Sequence, residues 1–155
     1  MMKIGIGADH NAFEMKKSLS DYIQKLGHEV VDYGCGDSCT EVDYPKVAFE
    51  VAEDINKNAI ERGILVCGTG IGVAIAAGKV PGIRAALCHD TYSAERAQKS
   101  NNAQILTMGA KVIGIELAKQ VVKVYLESSF DGGNSARKVQ QINNKEQEFL
   151  KHIQV

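Results

Sequence analysis

Residues 63–82 read GILVCGTGIGVAIAAGKVPG, and the fold turns on them. Ile64, Leu65 and Val66 form a short apolar run, as in a strand buried on both faces. Cys67-Gly68-Thr69-Gly70-Ile71-Gly72 follows at its carboxyl end, and Val73 to Gly78 is small and apolar enough to be a helix packed close on a sheet. Strand, glycine loop and helix in that order aim the peptide N–H groups of residues 70 to 74 at the strand end. Main chain and helix dipole alone then make an anion site.

Two readings fit Cys67. It is either a small buried residue that ends a strand, or a base or nucleophile, because a thiol beside a helix N-terminus can lose its proton more easily than a free one. The glycines on its carboxyl side clear the space that a ligand needs and favour the second reading.

At 155 residues the chain is expected to form one domain, 1–155, burying roughly two thirds of its unfolded surface in one core. Eighteen Lys and Arg against nineteen Asp and Glu leave a net charge of -1, and no block of like charges occurs, so neither nucleic acid nor a membrane surface is an expected partner. No apolar run approaches the ~20 residues that span a bilayer, and MMKIGIGADH enters a strand pattern directly, so a cytoplasmic protein is expected. Cysteines 35, 39, 67 and 88 form no C-x-x-C pair and read as free thiols. Cys35-x-x-x-Cys39 has no histidine or second pair nearby, so no metal is expected.

Outward from the central stretch, Lys3 to Ala8 alternates Ile with Gly and delivers Asp9-His10 at its end. Asn11 is expected to cap a helix whose stripe is Phe13, Leu19, Tyr22, Ile23 and Leu26, with Gly27 as its stop. Glu29 to Tyr33 reads as a second strand, and Pro45 suits the first turn of a helix running to about Asn58. Ile83 to Leu87 and Ile105 to Met108 read as further strands. Asp90 or Thr91 caps a polar helix to about Ser100, Ile113 to Leu126 forms another helix, and Ala136 to Ile153 the last. That final helix has a narrow apolar stripe of Val139, Ile142, Phe149, Leu150 and Ile153, suited either to packing on a second copy or to solvent.

Strands alternating with helices call for βαβ units and a parallel sheet. The expected architecture is a three-layer α/β/α sandwich, a Rossmann-like five-stranded parallel sheet with an extra C-terminal helix. Ligands of such sheets sit beyond the carboxyl strand ends, where Asp9-His10, the Cys67 loop, His89-Asp90 and Met108-Gly109 fall. The glycine loop is no dinucleotide fingerprint, since a third glycine would fall on Val73 or Ile75. No P-loop, H-E-x-x-H or G-x-S-x-G occurs either.

Five motifs then stand in order: G-x-G-x-D-H at the first strand, D-Y-P at 43–45, C-G-T-G-I-G at 67–72, G-I-R-A at 82–85, and S-N-x-x-x-I-L-x-x-G. In this chain the last of these maps onto the stretch around Ser100 to Gly109. Together they resemble the ribose-5-phosphate isomerase B family, which includes galactose-6-phosphate and allose-6-phosphate isomerases. The resemblance implies an aldose–ketose isomerase without metal or cofactor, a homodimer or a tetramer of paired dimers, with active sites between subunits. Cys67 would take the C2 proton of the open-chain aldose. Thr69 and the N–H groups from Gly70 to Ala74 would hold the enediolate, and Gly68, Ile71 and Gly72 would line the substrate.

By the same resemblance Asp9 handles the O1 and O2 protons or holds the hydroxyls, His10 contacts the phosphate or ring oxygen, and Asn101 bonds sugar hydroxyls. The plain alternatives are an N-cap for Asp9, a backbone-bonded helix-entry residue for His10, and a helix C-cap for Asn101. Many family members carry a histidine, assigned to ring opening, where this chain has Ser100, a poor acid or base near pH 7. Ring opening would fall to His10, to water or to spontaneous opening, with His89 a further candidate. The family's phosphate-binding arginines correspond to Lys111, Asn134 and Lys138, with Arg137 one position early. Lysine lacks arginine's planar fork, so weaker phosphate discrimination and wider tolerance of free or six-carbon sugars are expected. A reading from another class is a flavodoxin-like module binding a nucleotide on the glycine loop, with no need of Cys67.

Overall fold

The alternation of Ile and Gly at the start of the chain has a packing cause. Ile4, Ile6 and Ala8 are fully buried on one side of their strand. On the other side glycine lets a helix come close, since a Cβ on Gly7 would stand 2.5 Å from Val47 Cγ1. A computed structural model describes residues 1–34 and 42–153. The strands are β1 Lys3–Ala8, β2 Glu29–Gly34, β3 Arg62–Cys67, β4 Ala85–Leu87 and β5 Ile105–Gly109. The helices are α1 Phe13–Lys25, α2 Tyr44–Asn56, α3 Ile71–Gly78, α4 Thr91–Lys99, α5 Ile115–Glu127 and α6 Asn134–Ile153.

All five strands are parallel, in the order β2-β1-β3-β5-β4. This is the three-layer Rossmann-like sheet that the alternating pattern predicts. One layer packs α1, α4 and α5 on Ile4, Ile6, Ile64, Val66, Leu106 and Met108. The opposite layer packs α2 and α3 on Leu65, Cys67 and Ile105. The strand order reverses between β1 and β3, so the crevice expected for a ligand opens where Ala8 pairs with Val66.

Several element ends differ from the sequence reading for local reasons. Asp9, rather than Asn11, opens the first helical segment: its Oδ1 accepts from the Asn11 N–H at 3.0 Å and caps a 3-10 turn, His10–Ala12, ahead of α1. Lys16 lies buried within the α1 stripe and pairs with Asp32 at 2.7 Å. β4 begins at Ala85 instead of Ile83, because the Ile83 N–H turns back to Val80 and the Arg84 N–H is taken by the Gln104 side chain. α6 buries only Val139, while Ile142, Phe149 and Ile153 are exposed. It is tied to the turn before β4, where Glu146 accepts from the Gly82 N–H at 2.6 Å.

Because every strand points the same way, the chain has two distinct edges. Turns leaving β1, β3 and β5 gather at the carboxyl edge. The ends of α4 and α5 return to the amino edge, where Arg62 donates to the carbonyls of Tyr125 and Ser128 at 2.8 Å each. Strands of six residues separate the two edges by roughly 17–20 Å. No helix among the described residues is long and apolar enough to cross a membrane.

Ile64 and Leu65 are adjacent, fully buried and point into opposite layers. Ile64→Ala and Leu65→Ala should therefore each cost about 3 kcal/mol in urea unfolding. A cost below about 1 kcal/mol for either would mean that one face of the sheet is not packed.

Candidate active site

β3 ends on Cys67 and α3 starts on Ile71, so Gly68, Thr69 and Gly70 make the turn between them. Gly70 adopts φ +80°, a left-handed conformation that strains any side chain. It also lies against β5, where a Cβ would stand 2.6 Å from the Met108 carbonyl carbon. Thr107 of β5 donates its hydroxyl to the Gly70 carbonyl at 2.8 Å. With Gly70 fixed in that way, its N–H donates to Cys67 Sγ at 3.1 Å.

Main-chain geometry thus aims the sulfur. Cys67 is 5% exposed and lines a cleft of about 490 Å³ together with Asp9, Asn11, Tyr44, Thr69 and Gly72. Asp9 follows Ala8, whose partner in the sheet is Val66, so the parallel register carries the carboxylate alongside Cys67. Its capping role and its place in the cleft coexist. Asn11 donates to Asp9 from its main chain at 3.0 Å and from its side chain at 3.4 Å.

The expected set of amide donors is narrower than residues 70 to 74. An α-helix leaves the N–H groups of its first turn without intrahelical partners, while the Ala74 N–H reaches back to the Gly70 carbonyl. The Gly70 N–H is directed at the sulfur and the Ile71 N–H at Thr69 Oγ1, 3.2 Å away. That leaves Gly72 and Val73, with the Thr69 hydroxyl: accepting from Ile71, it keeps its own proton for donation.

Other predicted residues distribute as follows. His10 is exposed and opens onto an adjoining cavity of about 650 Å³ beside α1 and α5, with Asn11 common to both spaces. Lys111 stands at the same edge, its N–H donating to the Gly68 carbonyl at 3.0 Å and its stem crossing Gly68. His89 is committed elsewhere, since Nε2 accepts from the Gly109 N–H at 2.9 Å. Burial first, then Asp90, push the Cys88 thiol up to about 11.

Ser100, Asn101, Asn134, Arg137 and Lys138 are not brought to this cleft. Ser100 terminates α4, and the Asn101 carbonyl accepts from Arg84, immediately before β4, at 3.1 Å. Asp131 donates to the Lys99 carbonyl at 3.2 Å, which sets the start of α6 at that same amino edge. Among the described residues no group of three or more His, Cys, Asp or Glu could hold a metal ion, and Cys35 and Cys39 lie outside them.

Three residues at or behind the cleft have site roles that the sequence reading does not assign. The Tyr44 ring closes one wall and stands where a Cβ on Gly72 would be, 2.5 Å from Cε1. Asn11 and Thr107 hold Asp9 and Gly70 in place. The D-Y-P motif is the signal for Tyr44. A lone threonine in an apolar strand is the signal for Thr107.

A family model described as Ribose/Galactose Isomerase matches residues 4–142. The chain belongs to that family. Relatives of this isomerase family include a D-erythrulose-4-phosphate isomerase of Pectobacterium atrosepticum, 51% identical over 92% of this chain and 93% of that one. Ribose-5-phosphate isomerase B of Escherichia coli is 39% identical over 95% and 98%. The solved structure of Clostridium thermocellum ribose-5-phosphate isomerase B superposes with TM-score 0.91 at 42% identity, covering 96% of this chain and 99% of that one. Membership of an isomerase family sets aside the nucleotide-binding module.

Gly70→Ala should cost about 3 kcal/mol, from left-handed strain and the approach of β5, and should lower turnover by misdirecting the donor to sulfur. Gly78→Ala, with nothing within 4 Å of the new methyl, serves as the neutral comparison. Urea unfolding and turnover of both variants check this, and equal stabilities would contradict it.

Proposed function

We propose that this isomerase interconverts ribose 5-phosphate and ribulose 5-phosphate through a cis-enediolate, with Cys67 as the base. The observation that carries this reading is the cleft itself, where Cys67, Asp9 and Thr69 line one space at the start of α3. The Cys67 thiolate removes the C2 proton, and the electron pair moves onto O1 of the aldehyde. The Thr69 hydroxyl and the N–H groups of Gly72 and Val73 stabilise that charge, each donor worth about 3 kcal/mol. Asp9 relays the O2 proton to O1, and the Cys67 thiol returns its proton to C1, leaving the ketone at C2.

Ser100, Asn101, Asn134, Arg137 and Lys138 take part by serving a second copy. Gathered at the amino edge, roughly 17–20 Å from their own Cys67, they cannot share a sugar phosphate with it. An isologous homodimer presents the amino edge of each subunit to the carboxyl edge of the other. Exposed Ile142, Phe149 and Ile153 of α6 supply apolar surface for that pairing. The free thiols Cys67 and Cys88 suit a cytoplasmic location.

A second substrate reading is favoured by Ser100 together with the 51% identical erythrulose-4-phosphate isomerase. An aldotetrose esterified at O4 has no hydroxyl placed to close a five-membered ring. A site with serine where ring opening would need an acid or base suits such an open chain.

Cys67→Ala should retain the fold and the melting temperature while turnover falls at least a thousandfold; residual turnover above about a tenth would remove Cys67 as the base. A substrate series decides the sugar. The pentose reading predicts a higher kcat/KM for ribose 5-phosphate than for erythrose 4-phosphate, and the tetrose reading the reverse. With lysine in place of arginine at the phosphate, the preference for ribose 5-phosphate over ribose should stay below about a thousandfold.

A further inference from the structure

Arg84 belongs to the G-I-R-A motif, for which the chemistry above has no use, yet its guanidinium is the hub of the amino edge. Nε donates to the Asn101 and Asn102 carbonyls at 3.1 and 3.2 Å, and Nη2 to Asn102 again at 2.9 Å. Nη1 donates to Asn143 Oδ1 of α6 at 3.0 Å and to the Gly82 carbonyl at 3.4 Å. Asn102 is one of two non-glycine described residues with positive φ, +47°, so the segment after α4 is held in a conformation that costs energy on its own. Gln104 supports the same turn, accepting from the Arg84 N–H at 2.9 Å and donating to the Gly82 carbonyl at 2.8 Å.

We propose that Arg84 is a positioning residue for isomerisation in the partner subunit, fixing the Ser100–Asn101 segment and α6 as one unit through a planar fork shared between them. The proposal rests on the shared-site reading above. Only a guanidinium reaches two successive carbonyls and a side-chain amide on another helix at once, because its donors lie in one rigid plane. A loop with positive φ at its third residue would otherwise relax, and the groups offered to the neighbouring substrate would move with it. Displacements of about 1 Å cost up to a hundredfold in rate, so the effect is felt without any contact between Arg84 and substrate.

The test uses full-length chains carrying two different affinity tags, co-expressed and purified for both tags. Arg84→Gln alone should lower kcat/KM by between about ten- and a hundredfold, chiefly through KM. Paired with a Cys67→Ala chain, it should keep about half of wild-type kcat per dimer and regain the wild-type KM, because one of the two sites then combines an intact Cys67 with an intact amino edge. That recovery, with KM returned to the wild-type value, is one that a general folding defect in the Arg84→Gln chain would not give. A parallel pair, Cys67→Ala with Asn101→Ala, separates the two levels of inference. If this pair recovers and the Arg84 pair does not, Arg84 acts within its own subunit and the proposal is overturned. If neither recovers, the shared-site reading beneath it is wrong. Should Arg84→Gln fail to fold, Arg84→Lys keeps the charge without the fork and should show the same loss and the same recovery. Wild-type kcat/KM in a folded Arg84→Gln or Arg84→Lys chain would also overturn the proposal.

Discussion

One glycine governs the carboxyl edge of this sheet. Gly70 is pressed on the backbone of β5, its carbonyl is held by Thr107 and its N–H is turned onto Cys67 Sγ. The side chains in these contacts, Thr107 and Cys67, are short and buried in β5 and β3, so the sulfur inherits the rigidity of two adjacent strands and the helix that follows. Close approach requires glycine here on two independent grounds, the left-handed φ and the absence of room for a Cβ. The site is therefore a consequence of how β3 and β5 pair, with the Cys67–Gly109 register delivering both halves of the contact.

The two buried cysteines among the described residues show how the scaffold separates chemistry from packing. Cys88 sits beyond β4 among apolar neighbours, and its thiol is held up at about 11 by burial and by Asp90. Cys67 is nearly as enclosed, at 5% exposure, but it borders a cleft and receives a peptide N–H. Similar burial thus leaves one sulfur protonated and inert and the other addressed to a cavity. What distinguishes them is the glycine loop on the carboxyl side of Cys67, where Cys88 is followed by His89 and Asp90.

That loop is also why the architecture is legible in the sequence. Ile64 to Val66 next to a run of glycines admits few local structures, and the five strands and their helices follow from the same alternation of periods. The errors lie where side chains replace main-chain bonds. Asp9 caps a 3-10 turn that propensity does not distinguish from an α-helical start, and Gln104 takes the Arg84 N–H that would have lengthened β4. Lys16, buried in the α1 stripe, contradicts hydrophobic patterning because its partner Asp32 is the fourth residue of β2, a contact invisible along the chain. Tyr44 illustrates the same limit: its neighbour is Gly72, and only the packing of α2 on α3 makes them meet.

The division of polar groups between the two edges is the deepest consequence of the parallel sheet. Parallel strands send every βα turn to one side, so a chain of this design can place Asp9, Cys67 and Lys111 together with little effort, whereas the ends of α4 and α5 are delivered to the other. A sugar phosphate is far shorter than the roughly 17–20 Å between them. On the shared-site reading, association solves a problem that no loop within one subunit solves, because each copy brings a half-site already rigid in its own frame. On that reading the bonds of Gly70 and of Arg84 have parallel purposes, one holding Cys67 and the other holding the residues offered to the neighbour, and the precision of the joint site is limited by the interface alone.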